Sequence, residues 1–240
     1  MQEIHALTLA SLHNDMARLD SVAANLANVS TPGYKRQVVA ARSFQEAVDV
    51  ARTAAPPAVL TDNRAGTVRT TGQSLDLVLG GDGYFEVLTP QGPAYTRRGN
   101  FAVDARGRLV TPQGLPVMGK AGEIQLAGRA PAIDADGRIT ESVPGSESPT
   151  PVGQIKVVRF EHPDRLQRLG DGLFAGGEGM TPVADGEVRI RQGALENANV
   201  NVTSEMVDLI QTMRHFEAVH RVVQGYDEMI GGAVRKLAES

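Results

Sequence analysis

Both ends of the chain carry apolar residues at alternating spacings of three and four, and this pattern constrains the fold most. A stripe this narrow is typical of a coiled-coil seam, because a helix that covers a globular core needs a broader apolar face. The ends are therefore predicted to be helices that pair with each other, with other copies, or both. The N-terminal stripe comprises Leu9, Leu12, Met16, Leu19, Ala23 and Leu26. The C-terminal stripe comprises Val202, Met206, Leu209, Met213, Phe216, Val223, Ile230 and Val234.

Local signals place the inner boundaries of both helices. The run STPG at residues 30–33 ends the first helix, because proline disfavours helix before it and glycine permits a turn. Asn201 and the residues after it provide an N-cap for the second helix, which extends for roughly 50 Å. His220 and Asp227 interrupt its stripe. A polar seam residue such as Asp227 can fix helix register or can lie at the edge of a bundle.

The middle of the chain predicts β-structure, since it holds twelve of the 13 prolines and most of the glycines. Residues 75–79 and 84–88 flank a GGDG run and predict one hairpin, and residues 101–104 and 108–111 predict another. The same D-x-x-G turn follows Asp104 and Asp134. The predicted class is α+β, with long terminal helices in a coiled-coil-like bundle bracketing a mainly antiparallel β domain. The predicted parts are helices at 1–35 and 198–240, an arm at 36–70 and a β domain at 71–197.

Composition excludes several classes of function. A net charge of −4 argues against nucleic-acid binding, and no apolar run is long enough for membrane insertion. The absence of cysteine removes disulfides and thiolate metal sites. Residues 1–20 lack the basic and apolar regions of a cleaved signal peptide.

The search for catalytic, cofactor and metal-binding residues predicts none. The common hydrolase, metalloprotease and nucleotide-binding motifs are missing, and the five histidines lack ligand spacing. The GGDG and DADG runs depart from calcium-binding loops at the positions that supply ligands. Arg97 and Arg98 are expected at an exposed strand end. We therefore expect neither an enzyme nor a small-molecule substrate.

Four blocks of sequence carry a resemblance to a known family. They are NLANVSTPGYKR at residues 25–36, SLDLVLGGDGYF at 74–85, YTRRGNF at 95–101 and GALENANV at 193–200. Further matches follow at residues 107–111, 205–210 and 214–217. In this order the blocks resemble the flagellar rod and hook axial family. Its N-terminal motif corresponds here to Asn25, Leu26, Ala27, Asn28, Thr31, Pro32, Gly33 and Tyr34.

The resemblance implies a structural subunit without catalytic residues or cofactors. Such subunits leave the cell through the flagellar type III export apparatus without signal cleavage. They assemble with copies of themselves and with neighbouring proximal and distal rod subunits into a hollow shaft across the periplasm. The terminal helices would form the inner wall of this shaft and the β domain its outer layer.

Length and the segments at 151–157 and 171–174 favour the proximal rod type, with the distal type as the alternative. An alternative from another class is a secreted β-domain binding module that oligomerises through its helices. A peptidoglycan hydrolase is a third possibility, although the sequence supplies no recognisable nucleophile, metal site or paired acids.

Overall fold

The computed structural model describes residues 2–40, 56–128, 131–142, 149–177 and 179–238. Side-chain burial in its helices is described from residue 8 onward, except at residues 227, 230 and 233–238. The chain is α+β, as predicted, with a helix at each end of a mainly antiparallel β middle. It divides into two compact units, a helical unit (Met1–Ala27, Gln37–Leu60 and Asn201–Ser240) and a β unit (Asn28–Arg36 and Thr61–Val200).

The helical unit is built on two helices, α1 (Gln2–Ala27) and α2 (Val202–Ala238). Strand β1 (Gln37–Val39) packs against α1 and pairs with β2 (Val59–Thr61). The predicted cap of α2 is confirmed, because the Asn201 side-chain oxygen accepts a hydrogen bond from the Ser204 backbone N–H at 3.1 Å. No described helix is long and apolar enough to cross a membrane.

The β unit consists of short strands, as expected for a segment rich in glycine and proline turns. Its described strands are β3 (Val68–Thr70), β4 (Leu77–Leu79), β5 (Tyr84–Thr89), β6 (Gly92–Thr96), β7 (Ala102–Val103), β8 (Leu109–Val110), β9 (Met118–Gly119), β10 (Gly122–Glu123), β11 (Ala132–Ile133), β12 (Arg138–Glu141), β13 (Thr150–Gln154), β14 (Val157–Phe160), β15 (Arg168–Gly170), β16 (Leu173–Ala175), β17 (Met180–Pro182), β18 (Ile190–Gln192) and β19 (Ala194–Glu196). A single 3-10 turn is described at Pro163–Arg165.

The largest sheet has the order β15-β16-β6-β5-β14-β17 and is antiparallel throughout. Side chains alternate between its two faces along each strand. Phe85 and Val87 of β5 enter the main apolar core with Ile155. Tyr84 faces a second cluster, in which it meets Phe160 edge-to-face at 5.4 Å. The sheet is thus covered on both faces, so the β unit has a core of its own.

The two predicted hairpins have different outcomes. Residues 101–104 and 108–111 do form one, because β7 pairs with β8. The hairpin predicted around the GGDG run is wrong, since β4 pairs with β18 and β5 pairs with β6 and β14. The repeated D-x-x-G turn is confirmed: the carboxylates of Asp104 and Asp134 each accept hydrogen bonds from the backbone N–H groups two and four residues later.

Candidate functional site

The N-terminal stripe separates into two rows on α1. Leu12, Leu19 and Leu26 are half-buried. Leu9 and Met16 are 57% and 53% exposed, and Ala23 is exposed as well. Positions seven residues apart therefore share one environment, and one of the two rows has no apolar cover within the described unit.

The C-terminal stripe divides in the same way. Leu209, Phe216 and Val223 are half-buried, whereas Met206 and Met213 are 52% and 50% exposed. Val202, at the start of α2, is exposed. The side chains of Ile230 and Val234 lie outside the described residues, as does that of Asp227.

The interface between α1 and α2 contains two polar side-chain pairs. Asp15 Oδ2 lies 2.7 Å from Nδ1 of His215, and the Asn25 side-chain amide donates to Glu205 Oε2 at 3.0 Å. These two pairs show that the helices run antiparallel. Of the α2 side chains that the structure describes, Glu205 and Thr212 are the fully buried ones. The helical unit therefore buries polar groups while large apolar side chains remain exposed.

Asn25, the first residue of the family motif, connects three parts of the helical unit through side-chain hydrogen bonds. Its amide nitrogen also donates to the Gln37 backbone carbonyl at 2.9 Å, and its side-chain oxygen accepts from the Gln37 N–H at 2.8 Å. This paired contact resembles a β-ladder rung and ties β1 to the end of α1. The shared bond to Glu205 adds α2 to the same network.

The β unit contains a buried ionic cluster formed by Lys35, Arg97 and Glu196, here called the signature cluster. One oxygen of Glu196 accepts from Lys35 Nζ at 2.7 Å, and the other accepts from Nη2 and Nε of Arg97 at 3.0 and 3.2 Å. The Gly66 backbone N–H donates to the same carboxylate at 2.8 Å. A single carboxylate thus pairs with two buried cationic side chains.

Arg97 connects this cluster to the GGDG run. Its Nη1 group donates to the carbonyls of Gly81, at 2.7 Å, and Gly83, and its Nη2 group donates to Leu79 at 3.4 Å. Residues of all four family blocks therefore meet around one guanidinium and one carboxylate. The expectation that Arg97 lies at an exposed strand end is wrong: it is 6% exposed, because these distant partners satisfy its donors. Arg98 is half-buried.

Burial and charge act in opposite directions within the signature cluster. Burial opposes ionisation of Glu196, but Arg97 and Lys35 outweigh it and hold the pKa of that carboxyl below its ordinary value. Burial lowers the pKa of Lys35, because attraction to Glu196 offsets only part of the lost hydration. Burial also raises the pKa of the neighbouring Tyr84 to about 12, and the Arg97 guanidinium lies 5.9 Å from its ring centre.

Gly33 and Tyr34 of the family motif pack in the same region of the β unit. Gly33 has φ +67°, and a Cβ built there would lie 2.5 Å from the Arg97 carbonyl oxygen, so only glycine fits. The Arg168 guanidinium lies 5.3 Å from the Tyr34 ring centre and 5.2 Å from that of Phe174, and it donates to the Lys35 carbonyl. These contacts bury Tyr34 almost completely.

Of the remaining motif residues, Leu26 and Ala27 end α1, and Asn28, Thr31 and Pro32 lie in the turn that follows it. Thr31 donates its backbone N–H to the Asn28 carbonyl at 3.0 Å, and its hydroxyl lies 3.3 Å from the Asn28 side-chain oxygen. Leu26, Asn28, Thr31 and Pro32 are half-buried, and Ala27 is exposed.

Sequence reasoning missed the polar residues that organise both units. Lys35, Glu196 and Glu205 all lie inside the quoted blocks, but a search for apolar periodicity gives no weight to a carboxylate or an amine. Their occurrence in blocks far apart in sequence was the available signal. Among the residues that the structure describes, no group of three histidine or acidic side chains could hold a metal ion.

Family models match three parts of the chain. Residues 12–35 match the model described as flagella basal body rod protein, and residues 78–141 match the D1 domain of flagellar hook protein FlgE/F/G. Residues 191–235 match the C-terminal model of flagellar basal body rod FlgEFG protein. These regions include much of α1, part of the β unit and most of α2.

Full-length relatives extend these matches to most of the chain. The flagellar basal-body rod proteins FlgF of Escherichia coli and of Salmonella typhimurium are each 37% identical to it, over 91% of both chains. FlgG of Bacillus subtilis is 30% identical over 92% of this chain and 94% of its own. Because this similarity extends over about nine-tenths of the chain and therefore includes both units, the chain belongs to the flagellar basal-body rod protein family.

Proposed function

We propose that the chain is a structural subunit of the flagellar basal-body rod, of the proximal type. In this role it assembles helically with copies of itself and with neighbouring proximal and distal rod subunits. The product is a hollow shaft that carries torque from motor to hook and lets exported subunits pass. The proximal type corresponds to FlgF and the distal type to FlgG. The chain is 37% identical to two FlgF proteins and 30% identical to the FlgG of Bacillus subtilis, which supports the proximal type and leaves the distal type as the alternative.

The observation that carries this proposal is the exposure of apolar rows on both helices. Leu9 and Met16 are seven residues apart, as are Met206 and Met213, and Ile210 lies between the latter two on α2. Scattered exposed apolar residues are common on proteins, but rows with heptad spacing are what a partner helix contacts. In the antiparallel pair, Met16 and Met213 lie next to Asp15 and His215 and so at the same level along both helices. Their rows offer neighbouring subunits an apolar surface.

The mechanism that we propose is folding coupled to assembly. The helix pair buries few apolar side chains by itself, so little hydrophobic stabilisation is available to it in a free subunit. Stacking of subunits would cover the predicted seams at 1–35 and 198–240 and form the inner, coiled-coil-like tube. The β region at 71–197 would lie outside this tube, and residues 36–70 would form the connecting arm.

The proposed location is the rod within the periplasmic space. The type III export apparatus would deliver the chain there without signal cleavage, and the helices would pair after export. A cysteine-free chain suits this route, since no disulfide has to form outside the cell. The proposed role is mechanical and assigns no catalytic residue, cofactor or small-molecule substrate.

Substitution Met213→Asp tests the seam. Met213 is half-exposed in the subunit, so the variant should keep the stability of the β unit. In a dry subunit contact the new charge would cost several kcal/mol and should prevent assembly. The readouts are swimming, hook number and the amount of variant in purified hook–basal bodies. Gln211→Asp, at an exposed polar position of the same helix, is the matched control and should assemble normally.

Normal swimming by the Met213→Asp strain, with wild-type incorporation, would contradict the seam assignment. An in-frame deletion tests the wider proposal, because hooks and swimming should be lost and the protein should be detected in wild-type basal bodies. Its position relative to other rod subunits, mapped by cross-linking, distinguishes the proximal from the distal type. A soluble protein whose deletion leaves swimming intact would refute the rod proposal.

A further inference from the structure

The two polar pairs between α1 and α2 share one geometric register. Asp15 contacts His215, and Asn25 contacts Glu205. Ten residues separate the two positions on α1, and ten separate their partners on α2. At about 1.5 Å per residue, the pairs lie roughly 15 Å apart along both helices, so a single antiparallel alignment satisfies both.

Apolar contacts between these helices cannot select this alignment by themselves. The half-buried rows recur every seven residues on both helices, as with Leu12 and Leu19 on α1 and Leu209 and Phe216 on α2. Sliding one helix past the other by one repeat would bring equivalent leucines and other apolar residues into contact again. Such repeats give several alignments of similar energy unless a polar position distinguishes among them.

The polar pairs do distinguish among alignments. The side chains of Asp15, Asn25 and Glu205 are buried, so each needs a partner to replace the water that it loses. A slip of one seven-residue repeat would separate both pairs at once and leave two carboxylates and an amide without the partners that they have in the observed alignment. The penalty falls on every slipped alignment and leaves the observed one unaffected.

We propose that Asp15, Asn25, Glu205 and His215 form a register lock that selects one antiparallel alignment of α1 and α2. All four residues belong to one chain, so the lock selects the alignment whenever the two helices pair, transiently in a free subunit or stably on assembly. It also determines which exposed apolar residues of the two helices lie at the same level, as Met16 and Met213 do in the observed alignment. The polar interior of the helical unit thereby specifies the pattern of its apolar exterior.

The absence of cysteine allows a direct test in the full-length chain. Ser11 and Val219, both half-buried, are level in the observed alignment, so cysteines at these positions should form an intrachain disulfide under mild oxidation. Ser11 paired with Tyr226 is the matched probe for a slip of one seven-residue repeat, since Tyr226 is also half-buried on α2. With the lock intact, the first pair should form at least ten times more disulfide than the second. Peptide mapping of monomeric protein measures both yields.

Replacing all four lock residues with leucine should remove this preference. The two disulfide yields should then agree within about threefold, while circular dichroism shows the same helix content as in the parent cysteine variants. A preference that stays above tenfold in the leucine variant would overturn the proposal. Equal yields with the lock intact would overturn it too.

A charge exchange gives a second test that does not depend on folding of the leucine variant. Asp15→His alone places two imidazoles together and should lower the yield ratio at least threefold. Adding His215→Asp restores an acid–imidazole pair in reversed order and should restore the ratio. Failure of the double exchange to recover register preference would show that this pair does not set the alignment.

Discussion

Substitution Glu196→Gln should destabilise the β unit strongly while leaving its shape almost unchanged. The carboxylate accepts four hydrogen bonds, three of them from Lys35 and Arg97. A glutamine of the same length has one acceptor oxygen, and its NH₂ group would face a cation that needs an acceptor. Two buried positive charges would then remain without their counter-charge.

The size of the expected loss in stability follows from these unpaired buried charges. Removing one partner of a buried ion pair typically costs about 3–5 kcal/mol, because the remaining charge is left desolvated. For a unit of this size, roughly 3 °C of melting temperature corresponds to each kcal/mol, which gives a decrease of about 10–15 °C. Glu187→Gln is the control. Glu187 is 60% exposed and lies 3.6 Å from Arg159, so its loss should cost about 1 kcal/mol or less.

Urea unfolding followed by near-ultraviolet circular dichroism is the appropriate assay. Three of the four tyrosines, Tyr34, Tyr84 and Tyr95, lie in the β unit and are buried there, so the signal reports mainly on this unit. Far-ultraviolet spectra at 222 nm follow the helices separately. A Glu196→Gln variant whose unfolding free energy lies within 1 kcal/mol of the Glu187→Gln control would refute the reasoning.

The free energy of unfolding at acidic pH provides an independent test of the stabilisation that we assign to the Glu196 carboxylate. Its pKa is lowered in the folded state, so the unfolded chain takes up a proton first as the pH falls. The stabilisation from this group is complete above its ordinary pKa of 4.5 and is lost as the pH falls through the depressed folded value. The difference in unfolding free energy between wild type and Glu196→Gln should therefore become smaller below pH 4.5. A difference that stays constant down to acid unfolding would contradict the assignment.

Two further substitutions test the surroundings of the signature cluster by urea unfolding. Gly33→Ala should lower the free energy of unfolding by about 3 kcal/mol or more, because the new Cβ collides with the Arg97 carbonyl. Gly72→Ala is the control: Gly72 has φ +73° but open space around it, so its substitution should cost about 1 kcal/mol. Equal decreases in unfolding free energy for the two alanine variants would contradict the steric argument. Arg168→Lys should cost about 1–2 kcal/mol, since an ammonium lacks the planar face that stacks on Tyr34, and an unchanged midpoint would contradict that role.

The sequence predicted the terminal helices and the β class correctly because those features depend on local periodicity. It also predicted the D-x-x-G turns, in which each aspartate bonds to residues two and four positions later. The wrong hairpin shows the limit of local signals. The partner of β4 is β18, more than a hundred residues away, and no turn between them reveals that pairing.

The sequence does not reveal which charged residues of the candidate site are buried. Arg97 was expected to be exposed because an isolated arginine is costly to bury. Its burial depends on Glu196 and on the carbonyls of Gly81 and Gly83, and only the folded chain brings these groups together. The predicted seams stay a proposal: one row of each stripe is half-buried and the other is exposed, which is what a contact with other subunits requires.

The two units distribute polar and apolar groups in opposite ways, and this difference separates stability from assembly. The β unit encloses an apolar core that includes Phe85 and Val87 and fixes its charges around Glu196, so its stability is internal to the chain. The helical unit buries Asp15 and leaves Met213 exposed, so we expect much of the hydrophobic stabilisation of its helices to come from contacts with other subunits. Changes at Glu196 and Met213 share no contacts and should be additive in the free subunit. Glu196→Gln should lower solution stability with or without assembly, whereas Met213→Asp should act only when subunits meet. A subunit in which Met213→Asp alone destabilised the β unit would contradict this division.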